Sequence, residues 1–376
     1  MGRRCVPGRN ARLDGVEPFA WLRDNLTRMV NGHPVNRLPP GSSIANVRIR
    51  CNAMKLYVLC VLIGFSSLAN TRRLSASELL EAPGPSGALV GTLERAAKPS
   101  APIVLVIPGS GPVNRDGDSP AGLKASTYKL LANGLAQHGI TTLRIDKRGM
   151  FGSVAAVPDP NNVTISDYVD DVGKWIKVLL ARTGASCVWV LGHSEGGLVA
   201  LVAAQREPGI CGLVLVATPG RSLGEVIRRQ LRANPANASI LPEALSALES
   251  LEAGRRVDVA QLNPVLLPLF RPAVQGFLMS ELALDPTKLI AALRMPVLIL
   301  QGERDLQVAP DDAQRLASAD REAKLDLAPD VNHVLKSVKS QDRAANLATY
   351  GDPTLPLAPG LTGRIACFVS SRTSLR

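Results

Sequence analysis

Aromatic side chains are scarce in this chain of 376 residues, at 3%, and histidine occurs only four times. The formal charge of +11 is uneven, because residues 1–69 hold 10 Lys and Arg against 3 Asp and Glu and so leave only +4 for the remainder. Beyond residue 69 no basic cluster with interleaved aromatics occurs, which argues against a nucleic-acid-binding surface. We therefore expect no nucleic-acid partner.

Long hydrophobic runs are also rare, and the first 53 residues have neither such a run nor a sustained periodicity. We expect residues 1–53 to be a leader outside the native folded protein. Residues 54–69 have a basic start, a short apolar segment and small residues at the end, which is the anatomy of a secretory signal peptide. This segment is too short for a comfortable membrane span.

The signal predicts that translation starts at Met54, that cleavage follows Ala69, and that the mature protein is periplasmic or secreted without stable membrane insertion. An uncleaved signal that anchors the protein in the membrane is the alternative. N-terminal sequencing of the mature protein tests this expectation. The sequence leaves the oligomeric state open.

The chain has six cysteines, three of which lie in the first 60 residues. Cys187 and Cys211 each stand at the start of a predicted core strand, and these strands would be neighbours in a doubly wound sheet. A disulfide formed in an oxidising compartment and two buried free thiols both fit this placement.

From about residue 86, strand patterns alternate with helical patterns, which predicts an α/β fold with a mostly parallel, doubly wound sheet. We place this core at residues 86–218 and 294–370. Residues 219–293 interrupt the alternation because they are mostly helical and proline-rich, and we predict a helical cap over the carboxyl ends of the strands. A pair of crossover helices is the alternative. The apolar residues at 262–277 either line a substrate pocket or form the cap's own core.

Residues 192–196 read Gly-His-Ser-Glu-Gly between an apolar strand pattern and a helix pattern. A G-x-S-x-G pentapeptide in this context is typical of a nucleophilic serine on a sharp turn. The flanking glycines allow that turn, and the following helix offers backbone N–H groups to an anion. We predict Ser194 as the nucleophile.

The rarity of histidine identifies a base by elimination. His33 lies in the leader, His138 precedes a strand at the wrong end of the sheet, and the side chain of His193 is expected to point away from the site. His333, just after the last predicted strand, remains as the general base. Asp305, in the loop after the preceding strand, is expected to orient it, with Glu303 as the competitor.

An oxyanion hole needs two N–H donors. The N–H of Glu195 follows the nucleophile directly, and the Gly-rich loop after the strand at 103–107 offers the N–H of Ser110 as the second. Asp116 and Asp118, beside this loop, are either substrate ligands or surface turn residues.

The chain resembles α/β-hydrolases of the esterase and serine-aminopeptidase-like group over roughly residues 86–370. The resemblance is carried by four segments in the expected order: residues 108–112, 146–153, 192–196 and 302–305. It implies hydrolysis of an ester, or less often an amide, through an acyl-enzyme without a metal or cofactor. Asn332 departs from the pattern, since glycine often precedes the histidine. The segment at 146–153 is expected to order the loop near the site.

The resemblance implies a serine hydrolase of carboxylesterase type with Ser194, Asp305 and His333 as catalytic triad. An aminopeptidase-like amide hydrolase or an acyltransferase on the same fold is the enzymatic alternative, with Glu225, Glu243 and Glu249 as candidates to hold a substrate amine. A catalytically silent ligand-binding protein is the non-enzymatic alternative.

Overall fold

A computed structural model of the protein describes residues 77–233 and 235–373. The predicted leader and signal, residues 1–69, lie outside the described residues, so export stays a prediction. Eight strands form one sheet: β1 (Ser77–Pro83), β2 (Ala88–Glu94), β3 (Ile103–Ile107), β4 (Thr141–Ile145), β5 (Val188–His193), β6 (Ile210–Val216), β7 (Val297–Gly302) and β8 (Lys324–Ala328).

The strand order across the sheet is β1-β2-β4-β3-β5-β6-β7-β8. The pairs β1–β2 and β2–β4 are antiparallel, and every other neighbouring pair is parallel. The predicted fold class is therefore confirmed: the sheet is mostly parallel. Strands β3 to β7 are buried along their whole length, which explains why β3, β5, β6 and β7 read as mostly apolar runs, whereas β4 also buries two threonines and an arginine.

The sheet begins at Ser77, before residue 86 where the sequence pattern placed the start of the core. Strand β1 is an edge strand paired only with β2, and half of its side chains face solvent. Its alternation over seven residues is weak and ends in Pro83, so it gives little signal of a core strand.

Helices cover both faces of the sheet. One face packs against α2 (Ile165–Thr183), α3 (Glu195–Arg206) and α9 (Pro310–Ala319), and the other packs against α1 (Thr127–Gln137) and α11 (Leu361–Thr373). The short helix α10 (Arg343–Ala348) lies in the loop after β8. The longest of these helices, α2, is bounded by a capping box between Thr164 and Asp167 and by Gly184 in a left-handed conformation.

In the described part of the chain, five α-helices lie between β6 and β7: α4 (Leu223–Ala233), α5 (Leu241–Glu252), α6 (Leu267–Phe270), α7 (Pro272–Leu282) and α8 (Pro286–Ala291). They have an apolar core of their own, which includes Ile227, Leu248, Phe270 and Val274. We call residues 219–293 the cap. The apolar residues at 262–277 contribute mainly to this cap core, which decides between the two roles that the sequence left open.

Cys187 and Cys211 form a disulfide with a Cα–Cα distance of 5.2 Å. The two cysteines lie side by side because β5 and β6 are neighbouring parallel strands that start at the same end of the sheet. The alternative of two free thiols is thereby set aside. Cys367 has a free thiol and is exposed.

We expect the disulfide to stabilise the fold, because it closes a loop between residues 24 positions apart. The double variant C187A/C211A should lose about 3 kcal/mol of unfolding free energy, measured by urea denaturation. Wild-type protein in dithiothreitol should match it, and C367A should behave as wild type. Equal midpoints for the double variant and the wild type would contradict this expectation.

Candidate active site

Ser194 occupies the tight turn between β5 and α3. Its dihedral angles, φ 55° and ψ −122°, lie in a region that residues with a side chain rarely adopt. A Cβ on Gly192 would lie 2.2 Å from the carbonyl oxygen of Gly196, and a Cβ on Gly196 would lie 2.4 Å from that of Ile107. The glycines therefore permit a turn that places the serine at the carboxyl end of β5 and at the N-terminus of α3.

His333 and Asp305 meet in the loops that follow β8 and β7. His333 Nδ1 lies 2.7 Å from Asp305 Oδ2, and both side chains are buried. Because a carboxylate accepts, Nδ1 carries the proton, and Nε2 keeps the lone pair that a general base needs. Nε2 is buried and has no hydrogen-bond partner among the described residues.

The environment of Asp305 favours its ionised form. Burial raises the pKa of this carboxyl, but the adjacent His333 ring and the N–H groups of Val308 and Gln307 outweigh burial and hold the pKa below its usual range. Both N–H groups donate to Oδ1, at 3.0 and 2.7 Å. Asp305 thus offers a fixed negative charge to an imidazolium at His333. Glu303 is exposed, and its backbone N–H donates to the carbonyl oxygen of Ala328.

The loop after β3 lies against Ser194. A Cβ on Gly109 would lie 3.2 Å from the Cβ of Ser194. The N–H of Gly109 itself is engaged, because it donates to Tyr128 Oη at 2.9 Å. Ser110, the next residue, lines the same cavity as Ser194 and Glu195. The structure therefore brings all five residues singled out from the sequence to one edge of the sheet, at the carboxyl ends of the parallel strands.

The expectation that His193 points away from the site is wrong. Its ring packs against His333 with centroids 4.7 Å apart, and its Nε2 donates to the carbonyl oxygen of His333 at 2.9 Å. A carbonyl can only accept, so Nε2 carries the proton of the neutral ring. Nδ1 of His193 then accepts a hydrogen bond from the hydroxyl group of Tyr128, at 2.9 Å. His193 therefore connects the Gly109 loop to the His333 loop through a directional series of hydrogen bonds.

Asn332 fixes the His333 loop from the other side. Its amide nitrogen donates to Asn346 at 3.1 Å and to Thr349 at 2.7 Å, and its amide oxygen accepts from the N–H of Lys336 at 3.0 Å. The departure from glycine at this position thus adds three hydrogen bonds to a buried loop. Sequence reasoning missed this role because all but one of the partners lie 14 or more residues away.

The segment at 146–153 orders the loops around the site, as expected. Asp146 accepts from the N–H of Arg115 at 2.7 Å and of Gly152 at 3.1 Å, and Ser153 donates to the Asp146 carbonyl at 3.0 Å. Asp116 forms an ion pair with Arg144.

Asp118 accepts from the N–H of Ser126 at 2.8 Å. Neither Asp116 nor Asp118 lines the cavity beside Ser194, which favours their interpretation as turn residues.

A cavity of about 100 Å³ lies beside Ser194, between the core and the cap. We call it the cap cavity. Leu223, Val226 and Gln230 of α4 line it at a spacing of three and four residues, whereas Ile227 and Leu231 of the same helix enter the cap core. The remaining wall comes from core loops and the end of the cap: Leu198, Pro219, Arg221, Glu281, Leu284, Pro286, Gln307 and Val308.

A model of a known protein family matches the chain directly. The model of the alpha/beta hydrolase family matches residues 103–338, a span that includes Ser110, Ser194, Asp305 and His333. The chain belongs to the alpha/beta hydrolase family.

Curated relatives of this alpha/beta hydrolase include Esterase EstD of Thermotoga maritima, 31% identical over 242 residues that cover 63% of this chain and 55% of the relative. Phospholipase YtpA of Bacillus subtilis is 30% identical over 38% of this chain and 57% of its own length. Lysophospholipase L2 of Escherichia coli is 32% identical over 27% of this chain and 30% of its own length. The chain thus spans little more than half of the first two relatives.

Solved structures with the same fold include the α/β hydrolase GrgF from Penicillium, with a TM-score of 0.52, 18% identity and coverage of 80% of this chain and 99% of GrgF. Est1E from Butyrivibrio proteoclasticus with ferulic acid bound has a TM-score of 0.50 at 14% identity, covering 78% and 99%. At these identities the likeness concerns the fold alone.

Among the described residues no helix combines the length and apolar character needed to cross a bilayer. The same part of the chain holds no group of three His, Cys, Asp or Glu side chains placed to bind a metal ion.

Replacing Asp305 with Asn should slow the reaction of Ser194 with a fluorophosphonate by about 10³- to 10⁴-fold, because an amide no longer selects the His333 tautomer with a free Nε2. The rate is measured by labelling over time, followed by peptide mass spectrometry. E303Q, two residues away and exposed, is the matched control and should react at the wild-type rate. Wild-type reactivity of D305N would show that Asp305 does not orient the base.

Proposed function

We propose that this protein hydrolyses carboxylic esters through an acyl-enzyme formed on Ser194. The observation that carries the proposal is the buried His333–Asp305 pair, 2.7 Å apart, at the edge of the sheet where the Ser194 turn faces the cap cavity. Membership of the alpha/beta hydrolase family and the similarity to Esterase EstD support the same activity.

In the proposed mechanism, Ser194 Oγ attacks the acyl carbon while its proton passes to His333 Nε2. The N–H groups of Glu195 and Ser110 donate to the oxyanion of the tetrahedral intermediate. His333 then gives its proton to the leaving alcohol, and the acyl-enzyme remains. Water attacks the acyl-enzyme with His333 as base, and the acid leaves as Ser194 regains its proton. Asp305 stabilises the imidazolium in both halves.

The substrate in this proposal is a small-molecule ester whose organic part enters the cap cavity. Leu198, Leu223, Val226 and Leu284 give the cavity an apolar wall beside the nucleophile. Since two relatives are named as a phospholipase and a lysophospholipase, long acyl chains belong in the range of test substrates.

An aminoacyl substrate is the second candidate, because one acidic side chain of the cap does reach the cavity. Glu225 pairs with Arg221 and Arg315, and Glu243 accepts from the N–H of Asn263. Glu281, by contrast, lines the cap cavity. A carboxylate there would hold a substrate ammonium group.

The first test is the hydrolysis of nitrophenyl esters from acetyl to long acyl chains, with aminoacyl nitroanilides as the competing series. We expect ester hydrolysis by the wild type and its loss, by a factor of about 10³ or more, in S194A. S318A, an exposed serine of α9, is the matched control and should keep wild-type turnover. Ester turnover retained in S194A would refute the mechanism, and faster amide than ester cleavage would favour the second candidate.

Enlarging one cavity-facing side chain of α4 should shorten the accepted chain. V226F should lower kcat/KM for long-chain esters relative to acetyl ester by about 10-fold, because the ring occupies space beside Ser194. R229A, on the exposed side of the same helix, should leave the chain-length profile unchanged. An unaltered profile in V226F would mean that the ester does not enter the cap cavity.

A further inference from the structure

A buried lysine lies behind the loop that carries Ser110. Lys147 follows β4, and its side chain and that of Glu195 are each only 2% exposed. Its Nζ donates to the carbonyl oxygen of Gly109 at 2.9 Å and to Glu195 Oε1 at 3.1 Å, and it lies 5.2 Å from the centroid of the Tyr168 ring. Burying an ammonium group is costly unless such partners replace water.

The carbonyl that Lys147 holds is one half of a peptide group whose other half is the N–H of Ser110. A trans peptide is planar, so its C=O and N–H point in opposite directions, and no cis peptide bond occurs in the described chain. Fixing the Gly109 oxygen toward Lys147 therefore fixes the direction of the Ser110 N–H. On the other side of Gly109, its own N–H is held by Tyr128 Oη.

The same contact changes the strength of the donor. A positive charge on a carbonyl oxygen draws electron density through the peptide group, which makes the N–H of that group a better hydrogen-bond donor. The effect is large where water is excluded, as it is around Lys147.

Lys147 also balances the carboxylate of Glu195. The N–H of Glu195 is the other proposed oxyanion donor, and its side chain is buried next to it. A buried negative charge here would oppose a developing oxyanion, and an ammonium group 3.1 Å from Oε1 offsets it.

We propose that Lys147 is a positioning residue of the oxyanion hole, which orients and polarises the Gly109–Ser110 peptide and neutralises Glu195. The proposal rests on the ester-hydrolase function proposed above. It assigns Lys147 to stabilisation of the transition state and not to substrate binding.

The test compares full-length wild type with E195Q, K147M/E195Q and K147Q. The double variant removes both buried charges together and so leaves no lone carboxylate. We expect kcat to fall about 10- to 100-fold with KM within about 2-fold, less than the loss of a whole donor. E195Q, which keeps Lys147 on Gly109, is the reference for the double variant, so the fall in kcat is measured from E195Q to K147M/E195Q. K147M/E195Q should bind a trifluoromethyl ketone more weakly than E195Q by the factor lost in kcat/KM.

K147Q keeps a donor for the Gly109 oxygen but removes the positive charge and leaves the Glu195 carboxylate unbalanced, so its kcat should also fall below that of the wild type. K147Q also provides the kinetic test if the double variant does not fold. K177M, an exposed lysine of α2, is the matched control. Wild-type kcat in K147Q and in K147M/E195Q, or a loss confined to KM, would overturn the proposal.

A second measurement does not depend on turnover. Labelling Gly carbonyl carbons and Ser amide nitrogens selects the three Gly-Ser pairs of the chain, at 41–42, 109–110 and 152–153. The Ser110 amide proton should move upfield when Lys147 is replaced, and an unmoved resonance would overturn the proposal. If the wild type neither cleaves esters nor reacts with a fluorophosphonate, the proposed function fails, and this resonance still decides the role of Lys147.

Discussion

The close approach of backbone at Gly196 is the constraint on which the rest of the site depends. This glycine presses the first turn of α3 against the carbonyls of Ile107 and Pro108 at the end of β3. The contact leaves no room for a side chain, and it joins the strand that leads to Ser194, the proposed nucleophile, to the loop that carries Ser110. Once the two parallel strands are in register, Ser194 and the two proposed N–H donors have fixed relative positions, and only the histidine loop has to be added.

That loop has no regular structure and is held by directional hydrogen bonds. His193 donates to its backbone carbonyl, the Asn332 side chain donates to Thr349, and Asp305 accepts from the His333 ring. A base on a loop would otherwise lose orientation to thermal motion, and a displacement of about 1 Å costs on the order of 100-fold in rate. The hydrogen bonds replace the rigidity that a helix or strand would have given.

The fold could be predicted from the sequence because its signals are local. Buried parallel strands such as Ile103–Ile107 are continuous apolar runs, and the pentapeptide around Ser194 is contiguous. His333 was predicted as the base by elimination, which is possible only because the chain has four histidines. Lys147, Tyr128 and the role of His193 were missed because their partners come from distant segments, up to 140 residues away. Strand β1 was missed because an edge strand has only one packed face.

The two faces of helix α4 have different roles in the cap. One face supplies the cap's own hydrophobic core, while Leu223, Val226 and Gln230 line the cavity, and Leu223 also packs against the cap core. Val226 and Gln230 line the cavity without joining the cap core, and the loops that carry the proposed catalytic residues follow strands of the sheet. The shape of the cap cavity and the stability of the cap therefore depend on largely separate side chains of one helix, so a fold of this kind can change its substrate by substitutions at the cavity face.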